Sequence, residues 1–122
     1  MNALLIFLGG GLGAVLRHAV NRLAFAVWGA GFPAGTMIVN IVGSLVMGAL
    51  VGIFAAHPGI NQHARLFLTT GLLGGFTTFS AFSLDALTLY ERGQIALALL
   101  YVAASVILSL GAIAAGFFLV RP

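Results

Sequence analysis

The sequence predicts an all-α integral membrane protein of four transmembrane helices, with the third helix broken near residues 74–78. Hydrophobic residues make up 61% of its 122 residues and charged residues only 6%, whereas about 25% of an ordinary soluble domain is charged. Four long apolar stretches of about the length that a bilayer core requires are separated by short polar or glycine-containing segments. Because these connections are short, we expect one four-helix transmembrane domain over residues 1–122.

The first two helices are separated by residues 29–33, which begin with glycine and end with proline. The first helix is predicted over about residues 3–27 and carries Arg17 and Arg22. Because no basic segment precedes its apolar start, we interpret it as a span rather than a cleavable signal peptide. The second helix is predicted over about Ala34–Ala56, since the helix-breaking sequence His57-Pro58-Gly59 follows it.

The third and fourth helices follow a polar connection at residues 57–65, the longest predicted in the chain. Uncharged stretches at residues 66–84 and 93–120 then flank the turn Glu91-Arg92-Gly93. The third stretch contains the run Gly71-Leu72-Leu73-Gly74-Gly75-Phe76-Thr77-Thr78-Phe79-Ser80-Ala81-Phe82. Its glycines and hydroxyl residues weaken the helix, so some carbonyl groups are expected to lose their usual partners. Such backbone is tolerated in a membrane only where it is buried in protein or lines a polar cavity, and the run therefore indicates an ion site.

Composition and motifs argue against several classes of function. The net charge of +3 comes from five scattered arginines, which form no basic patch, so no nucleic-acid partner is expected. The absence of cysteine excludes disulfides and thiolate metal sites. Asp85 and Glu91 lie at one helix end, and His57 and His63 lie in a predicted loop. Neither pair forms a recognisable metal or acid–base site, so we expect these side chains to be solvated and the chain not to be an enzyme.

Small residues and loop charges predict how the chain assembles. Four helices bury only a thin seam, and small residues at four-residue spacing allow helices to approach closely, as at Gly9/Gly13, Ser44/Gly48/Gly52, Gly71/Gly75 and Ala112/Gly116. We therefore expect an oligomer, and a dimer in particular. Arg65 and Arg121 belong to one membrane side, and Arg92 and Arg22 to the other. This equal count gives no preferred orientation and favours dual topology with antiparallel pairing.

Polar side chains form stripes inside the predicted spans. Their i, i+4, i+8 spacing places Thr36, Asn40 and Ser44 on one face of the second helix and Tyr101, Ser105 and Ser109 on one face of the fourth. Ordinary interhelical hydrogen bonds explain any single hydroxyl, whereas the stripes together suggest a polar track. Asn40 has the same two interpretations, because its amide could bond another helix or donate to a permeating anion.

Three further residues are candidates for an anion path. Phe79 and Phe82 bracket Ser80 just after the glycines, and the positive edge of an aromatic ring can meet a small anion without a fixed charge. This property suits a conduction site, which must bind an ion without trapping it. Arg17 lies well inside the first span, where a cation must snorkel or face water, and an inward-facing arginine attracts anions.

The residues resemble the Fluc/CrcB fluoride channels in their bacterial single-domain form. Order, spacing and chain length all fit that form. Three blocks carry the resemblance: Gly9-Gly10-Gly11-Leu12-Gly13-Ala14-Val15-Leu16-Arg17, Gly35-Thr36-Met37-Ile38-Val39-Asn40-Ile41-Val42-Gly43-Ser44, and residues 71–82 with the Thr-Thr-Phe-Ser-x-Phe core. The resemblance implies a dual-topology homodimer with two antiparallel pores in the bacterial plasma (inner) membrane, each pore using residues of both subunits.

The resemblance also implies roles for individual residues. The Asn40 amide would contact fluoride, and Phe79 and Phe82 would form the family's pair of pore phenylalanines. The carbonyl groups of Gly74 and Thr77 would hold a central structural Na⁺ on the dimer axis. The remaining matches are Thr36, Tyr101 and Ser105 in the polar track and Arg17 near the aqueous vestibule. One departure is Ala81, which removes the hydroxyl of the threonine found in many members.

The function that follows is a passive, fluoride-selective channel. A membrane that is negative inside favours anion exit by about 2.3 kcal/mol per charge per 100 mV, so the pore would export fluoride and relieve its toxicity. Two alternatives remain. A dual-topology, proton-coupled exporter of cationic drugs would need an intramembrane carboxylate, and the deeply placed charge here is Arg17 instead. A non-transporting assembly subunit would use its small residues for packing alone.

Overall fold

The computed structural model describes residues 1–121, and the regular structure in this range is helical. Four stretches are long and apolar enough to cross a membrane, which confirms that part of the predicted fold class. The first two are α1 (Asn2–Trp28) and α2 (Ala34–Ala56). The third span, Gln62–Glu91, is composite. It contains α3 (Gln62–Leu66), a π-helical segment (Phe67–Leu73), α4 (Gly74–Phe76) and α5 (Phe79–Glu91), and it is followed by the fourth span, α6 (Ile95–Val120).

The predicted connection at residues 57–65 is wrong in its last four residues, because the third span already begins at Gln62. Asn61 caps this helix, since its side-chain oxygen accepts a hydrogen bond from the backbone N–H of His63 at 2.7 Å. The guanidinium of Arg65 lies 5.1 Å from the ring centre of Phe54 and donates to the carbonyl of Pro58 at 3.2 Å. The Asn61 side chain and the Arg65 guanidinium thus have polar or aromatic partners at the start of this span.

Helix α1 packs closely against the third span through glycines on both sides. A β-carbon placed on Gly9 would lie 2.9 Å from the carbonyl oxygen of Phe67, and one on Gly13 would lie 2.7 Å from the backbone nitrogen of Phe76. A β-carbon on Gly75 would likewise meet the carbonyl oxygen of Gly10. The backbones therefore touch here, and only glycine fits. Because residue numbers rise together along both elements, the first and third spans run in the same direction.

Helices α2 and α6 form a second pair of this kind. A β-carbon on Gly48 would meet the carbonyl oxygen of Ile113, and one on Gly52 would lie 3.0 Å from that of Phe117. These two spans also run in the same direction, opposite to the first pair. The loops that precede α2 and α6 are joined by a hydrogen bond, which the Arg92 side chain donates to the carbonyl of Ala30 at 3.1 Å. The loops after α1 and after α5 therefore lie at one end of the bundle.

The glycine spacing that suggested an oligomer is used within the chain. In that spacing, Gly9 and Gly13 of α1 contact the third span, as Gly71 and Gly75 of the third span contact α1, and Gly48 and Gly52 of α2 contact α6, as Gly116 of α6 contacts α2. Small-residue spacing therefore gives no argument for a second copy. A different feature bears on assembly: around the break, Phe79 is 78% exposed and Gly74 and Ser80 are also exposed.

The buried core next to the break is a cluster of four residues, two of which are aromatic. It consists of Phe82, Leu89, Ala98 and Tyr101. The Tyr101 ring packs against Phe82 with ring centres 5.4 Å apart and meets Phe32 edge-on at 5.7 Å. This cluster joins α5 to α6 and to the loop before α2, and it fixes the position of the Tyr101 hydroxyl inside the bundle.

Candidate functional site

The site is built around two extended residues that interrupt the third span. Thr77 has φ −86° and ψ 160°, and Thr78 has φ −155° and ψ 127°, which is extended backbone that β-branched residues favour. The Thr78 hydroxyl accepts a hydrogen bond from the N–H of Ala81 at 3.1 Å and so caps α5. The predicted break is confirmed, and it falls on the threonines rather than on the glycines before them.

Asn40 completes the hydrogen bonds of the interrupted backbone. Its side-chain oxygen accepts from the N–H of Thr78 at 2.8 Å, and its amide nitrogen donates to the carbonyl of Thr78 at 2.9 Å. The side chain thereby replaces the partners that a continuous helix would supply. Of the two interpretations of Asn40, the structural bond is therefore present. The amide nitrogen carries a second hydrogen, which this pair does not use.

A cavity of about 310 Å³ opens beside this pair, and we call it the main cavity. The break supplies Thr77, Thr78 and Phe79 to its lining, and Asn40 faces it from α2. Phe82 is 8% exposed and forms part of the wall, with its ring centre 5.4 Å from that of Phe79. The structure thus brings three predicted pore residues, Asn40, Phe79 and Phe82, to one cavity.

Serine hydroxyls from the two polar stripes line the other side of the main cavity. These are Ser105 and Ser109 of α6 and Ser44 of α2. The side-chain oxygens of Ser105 and Ser109 are buried and have no hydrogen-bond partner within residues 1–121. A buried hydroxyl without a partner is costly, so both are available to a ligand. Two residues of the α2 stripe, Asn40 and Ser44, and two of the α6 stripe, Ser105 and Ser109, thus line one cavity. Ser44 and Ser109 join the candidate residues.

A second cavity of about 320 Å³ lies between the ends of α1, α2 and α5, and we call it the end cavity. Thr36, which is buried, lines this cavity rather than the main one. Its polar lining also includes Asp85 and Arg92. Tyr101, which is fully buried, donates its hydroxyl hydrogen to the Asp85 carboxylate at 3.1 Å.

The expectation of a solvated Asp85 is therefore wrong. The carboxylate is partly buried in the third span and holds a tyrosine of another helix. Sequence reasoning missed it because the partner is 16 residues away on α6. The available signal was spacing, since Asp85 follows Phe82 by three residues and so shares its helix face.

Three of the predicted pore and vestibule residues line neither cavity, namely Tyr101, Arg17 and Ser80. Arg17 is partly buried, its Nε atom is buried without a hydrogen-bond partner within residues 1–121, and it lines neither cavity. Ser80 is exposed, and its hydroxyl lies 3.3 Å from that of Thr78. Within residues 1–121, the side chains of Arg17 and Ser80 therefore do not join the candidates that line the main cavity.

The carbonyl groups of Gly74 and Thr77 fit the sodium site that the resemblance implies. The N–H of Thr78 would bond the Gly74 carbonyl in a continuous helix but donates to Asn40 instead. Likewise the N–H of Ala81, the usual partner of the Thr77 carbonyl, donates to the Thr78 hydroxyl. Both carbonyl oxygens are therefore released from their helical bonds, and oxygen donors suit a hard cation. One chain supplies two of them.

Four membrane-crossing helices, of which the third is broken beside a cavity with polar side chains in its lining, define a multi-pass membrane protein of the channel or carrier type. Residues 4–117 match the family described as CrcB-like protein, Camphor Resistance (CrcB). The chain is 55% identical over 121 residues to the "Fluoride-specific ion channel FluC" of Rhodopseudomonas palustris (strain BisB5), covering 99% of this chain and 98% of that one. It is 56% identical over 121 residues to the protein of that name from Methylobacterium nodulans, covering 99% and 97%. The chain belongs to the CrcB family.

Proposed function

We propose that the chain is a passive, fluoride-selective channel and not an enzyme. Relatives that match it over nearly their whole length carry the name fluoride-specific ion channel. The observation that carries the proposal is the lining of the main cavity. It combines the Asn40 amide, the rings of Phe79 and Phe82 and the hydroxyls of Ser105 and Ser109, which have no hydrogen-bond partner within residues 1–121. These groups offer hydrogen-bond donors and ring edges to a small anion but no fixed positive charge, so an ion can bind and leave.

The proposed path extends from the main cavity past Tyr101 to the end cavity, where Thr36 supplies a further hydroxyl. Ser80 and Arg17 would join it only through the partner subunit or at an aqueous opening. Because the path has no energy source, the membrane potential sets the direction. A potential negative inside drives anions outward by about 2.3 kcal/mol per charge per 100 mV. In a bacterial inner membrane, the channel would therefore export fluoride that entered as neutral HF.

The proposed assembly is an antiparallel, dual-topology homodimer with two pores. Its support is the surface around the break, where Phe79 and Gly74 are exposed and the main cavity is open on one side of the chain. Irregular backbone facing lipid is not tolerated in a bilayer, so this surface needs a protein cover. In the proposed dimer, a second copy in the opposite orientation covers this surface with its own residues around the break.

Dual topology can be tested because the chain has no cysteine. In the Gln94→Cys variant, the single thiol lies in the loop between α5 and α6. An impermeant thiol reagent applied to intact cells should label about half of this protein, since half the copies would face each way. Labelling of nearly all or nearly none of it would contradict dual topology.

We also propose a structural Na⁺ at the centre of the dimer, held by the carbonyl groups of Gly74 and Thr77 from both subunits. When bound, the cation would offset the negative ends of these four carbonyl dipoles. Protein purified with N-methylglucamine in place of Na⁺ is expected to unfold at a lower temperature, and added NaCl should restore the midpoint while KCl does not. Equal midpoints in all three solutions would contradict the sodium site.

The test of function is anion efflux from proteoliposomes, with valinomycin setting the potential and an ion-selective electrode recording fluoride or chloride. Fast fluoride efflux without chloride efflux is expected. The second candidate, a proton-coupled exporter of cationic drugs, gains support from Asp85, which is an intramembrane carboxylate. Proton-driven cation uptake without fluoride efflux would favour that carrier, and neither flux from a folded dimer would favour an assembly subunit.

A specific prediction concerns the ring of Phe82. The Phe82→Ile variant keeps an apolar side chain but removes the ring edge from the main cavity wall. We expect fluoride efflux to fall by at least about tenfold while the dimer stays intact, because the anion loses a contact for which the aliphatic chain has no substitute. Phe7→Ile is the matched control, since Phe7 is 75% exposed on α1. Wild-type efflux from Phe82→Ile would contradict the role of this ring.

A further inference from the structure

We propose that the end of the bundle that carries Arg65 and Arg121 binds the phosphate groups of anionic phospholipids. The two arginines are far apart in the sequence, and the fold brings both to the end of α2. Arg65 lies over the ring of Phe54, and a β-carbon on Gly52 would lie 3.7 Å from the backbone nitrogen of Arg121. The inference does not depend on fluoride conduction, since it concerns the surface that faces the lipid headgroups.

Charge is distributed unequally between the two ends of the bundle. The chain has two acidic side chains, Asp85 and Glu91, and both belong to α5, which ends beside Arg92 at the opposite end. No acidic side chain therefore accompanies Arg65 and Arg121. Uncompensated arginines at the ends of membrane spans attract anionic lipids. A zwitterionic lipid would also bring a cationic group to this surface, which offers it no carboxylate side chain.

Both arginines lie at the depth of the headgroups. Helix α6 has 26 residues, which at about 1.5 Å per residue exceeds the ~30 Å hydrocarbon core of a bilayer. Arg121 directly follows this helix, so its side chain reaches beyond the core. Arg65 lies in the first turn of the third span, which begins at Gln62. A phosphate group could come from a lipid or from a soluble ester, and this depth favours the lipid.

Arg65 is held in place and keeps a donor group for a phosphate. Its guanidinium carbon lies 5.1 Å from the ring centre of Phe54, and its Nη2 atom donates to the carbonyls of His57 and Pro58 at 3.4 and 3.2 Å. Its Nε atom is buried, and within residues 1–121 its Nη1 atom donates no hydrogen bond. The Nη1 atom carries two hydrogens, and it is therefore the donor that a headgroup can reach.

Arg121 keeps all its donors. Its guanidinium carbon lies 5.9 and 5.6 Å from the ring centres of Phe117 and Phe118, and within residues 1–121 its side chain donates no hydrogen bond. A ring against the face of a guanidinium leaves the N–H edge open, and this edge can bind two phosphate oxygens. The α2 residues nearest the two arginines are two positions apart and thus on nearly opposite helix faces, so each arginine binds its own headgroup.

The test measures lipid binding to the purified, detergent-solubilised protein by native mass spectrometry. Phosphatidylglycerol, phosphatidylcholine and inorganic phosphate are titrated separately. The dissociation constant for phosphatidylglycerol should be lower than that for phosphatidylcholine by at least about fivefold. Equal constants for the two lipids would overturn the inference. Inorganic phosphate that binds as tightly as phosphatidylglycerol would also overturn it, because the ligand would then be a solute and not a lipid.

Variants test the two arginines directly. A variant with both Arg65→Gln and Arg121→Gln should bind the two lipids with equal affinity, and Arg121→Gln alone should lose one of the two bound phosphatidylglycerol molecules per chain. An unchanged preference in the folded double variant would overturn the inference. Should the double variant not fold, because Arg65 also holds the loop after α2, an unchanged preference in Arg121→Gln would overturn it equally.

Arg92→Gln is the matched control, since it removes the same charge from the opposite end of the bundle. There the arginine follows Glu91 and donates to the carbonyl of Ala30. Its preference for phosphatidylglycerol should equal that of the wild type. A loss as large as that in Arg121→Gln would show that net charge alone, rather than this end of the bundle, determines lipid binding, and it would overturn the inference.

Discussion

Replacing Asn40 by aspartate should abolish most fluoride efflux and destabilise the fold. The side chain keeps its size and can still accept the hydrogen bond from the N–H of Thr78. It loses the donor that now meets the Thr78 carbonyl at 2.9 Å and sets a carboxylate oxygen against that carbonyl. Leaving a buried acceptor without its partner costs about 1–3 kcal/mol, so the thermal midpoint of the dimer should fall.

The effect on flux has a second cause, which is charge. Asn40 faces the main cavity, and a carboxylate there would repel a fluoride ion about 5 Å away by roughly 3 kcal/mol at an effective dielectric constant of 20. This corresponds to a loss of about a hundredfold in efflux. The loss should therefore be larger than the fall in stability explains. Efflux from proteoliposomes and thermal unfolding of the same preparation would measure the two effects separately.

The matched control is Asn61→Asp. Asn61 lies in an exposed loop, and its side-chain oxygen only accepts a hydrogen bond, from the N–H of His63. Aspartate preserves that bond, so both the efflux and the midpoint should stay at wild-type values. Wild-type efflux from Asn40→Asp would contradict a pore role for Asn40. Equal losses in both variants would show that the chemical change, rather than the position, is responsible.

Much of the helical arrangement could be predicted because hydropathy and breakers act locally. The predicted α2, Ala34–Ala56, agrees with the structure at both ends, since Pro33 precedes it and His57-Pro58-Gly59 follows it. The break in the third span was also predictable from its glycines and threonines. The π-helical segment Phe67–Leu73 was not, because an apolar run has no periodicity that separates a π-helix from an α-helix.

The candidate site was predictable only in part, since its geometry depends on partners distant in sequence. The stripes of Asn40 and Ser105 could be assigned to helix faces, and these faces do meet at the main cavity. The bond between Asn40 and Thr78 joins residues 38 positions apart, and the one between Tyr101 and Asp85 joins residues 16 apart. Helical spacing places Asp85 on the face of Phe82 but does not identify Tyr101 as its partner, so Asp85 was predicted to be solvated.

A second large effect is expected at Gly13, where alanine should destabilise the protein and lower fluoride efflux. A β-carbon there would meet the carbonyl oxygen of Leu72 and would lie 2.7 Å from the backbone nitrogen of Phe76. Both are backbone atoms, so no side chain can move aside, and α1 must separate from the third span. Overpacking of this kind typically costs about 1–3 kcal/mol. Thermal unfolding of the purified dimer would measure this cost.

Gly11→Ala is the control, because nothing lies within 4 Å of a β-carbon at Gly11 on the same helix. Alanine is a better helix former than glycine by about 1 kcal/mol, so Gly11→Ala should be neutral or slightly stabilising. Equal midpoints for the two variants would contradict the close contact at Gly13. Fluoride efflux should fall in Gly13→Ala alone, since Phe76 directly precedes the extended Thr77. A shift of Phe76 would move the break away from Asn40, and the packing of α1 thereby determines the geometry of the pore.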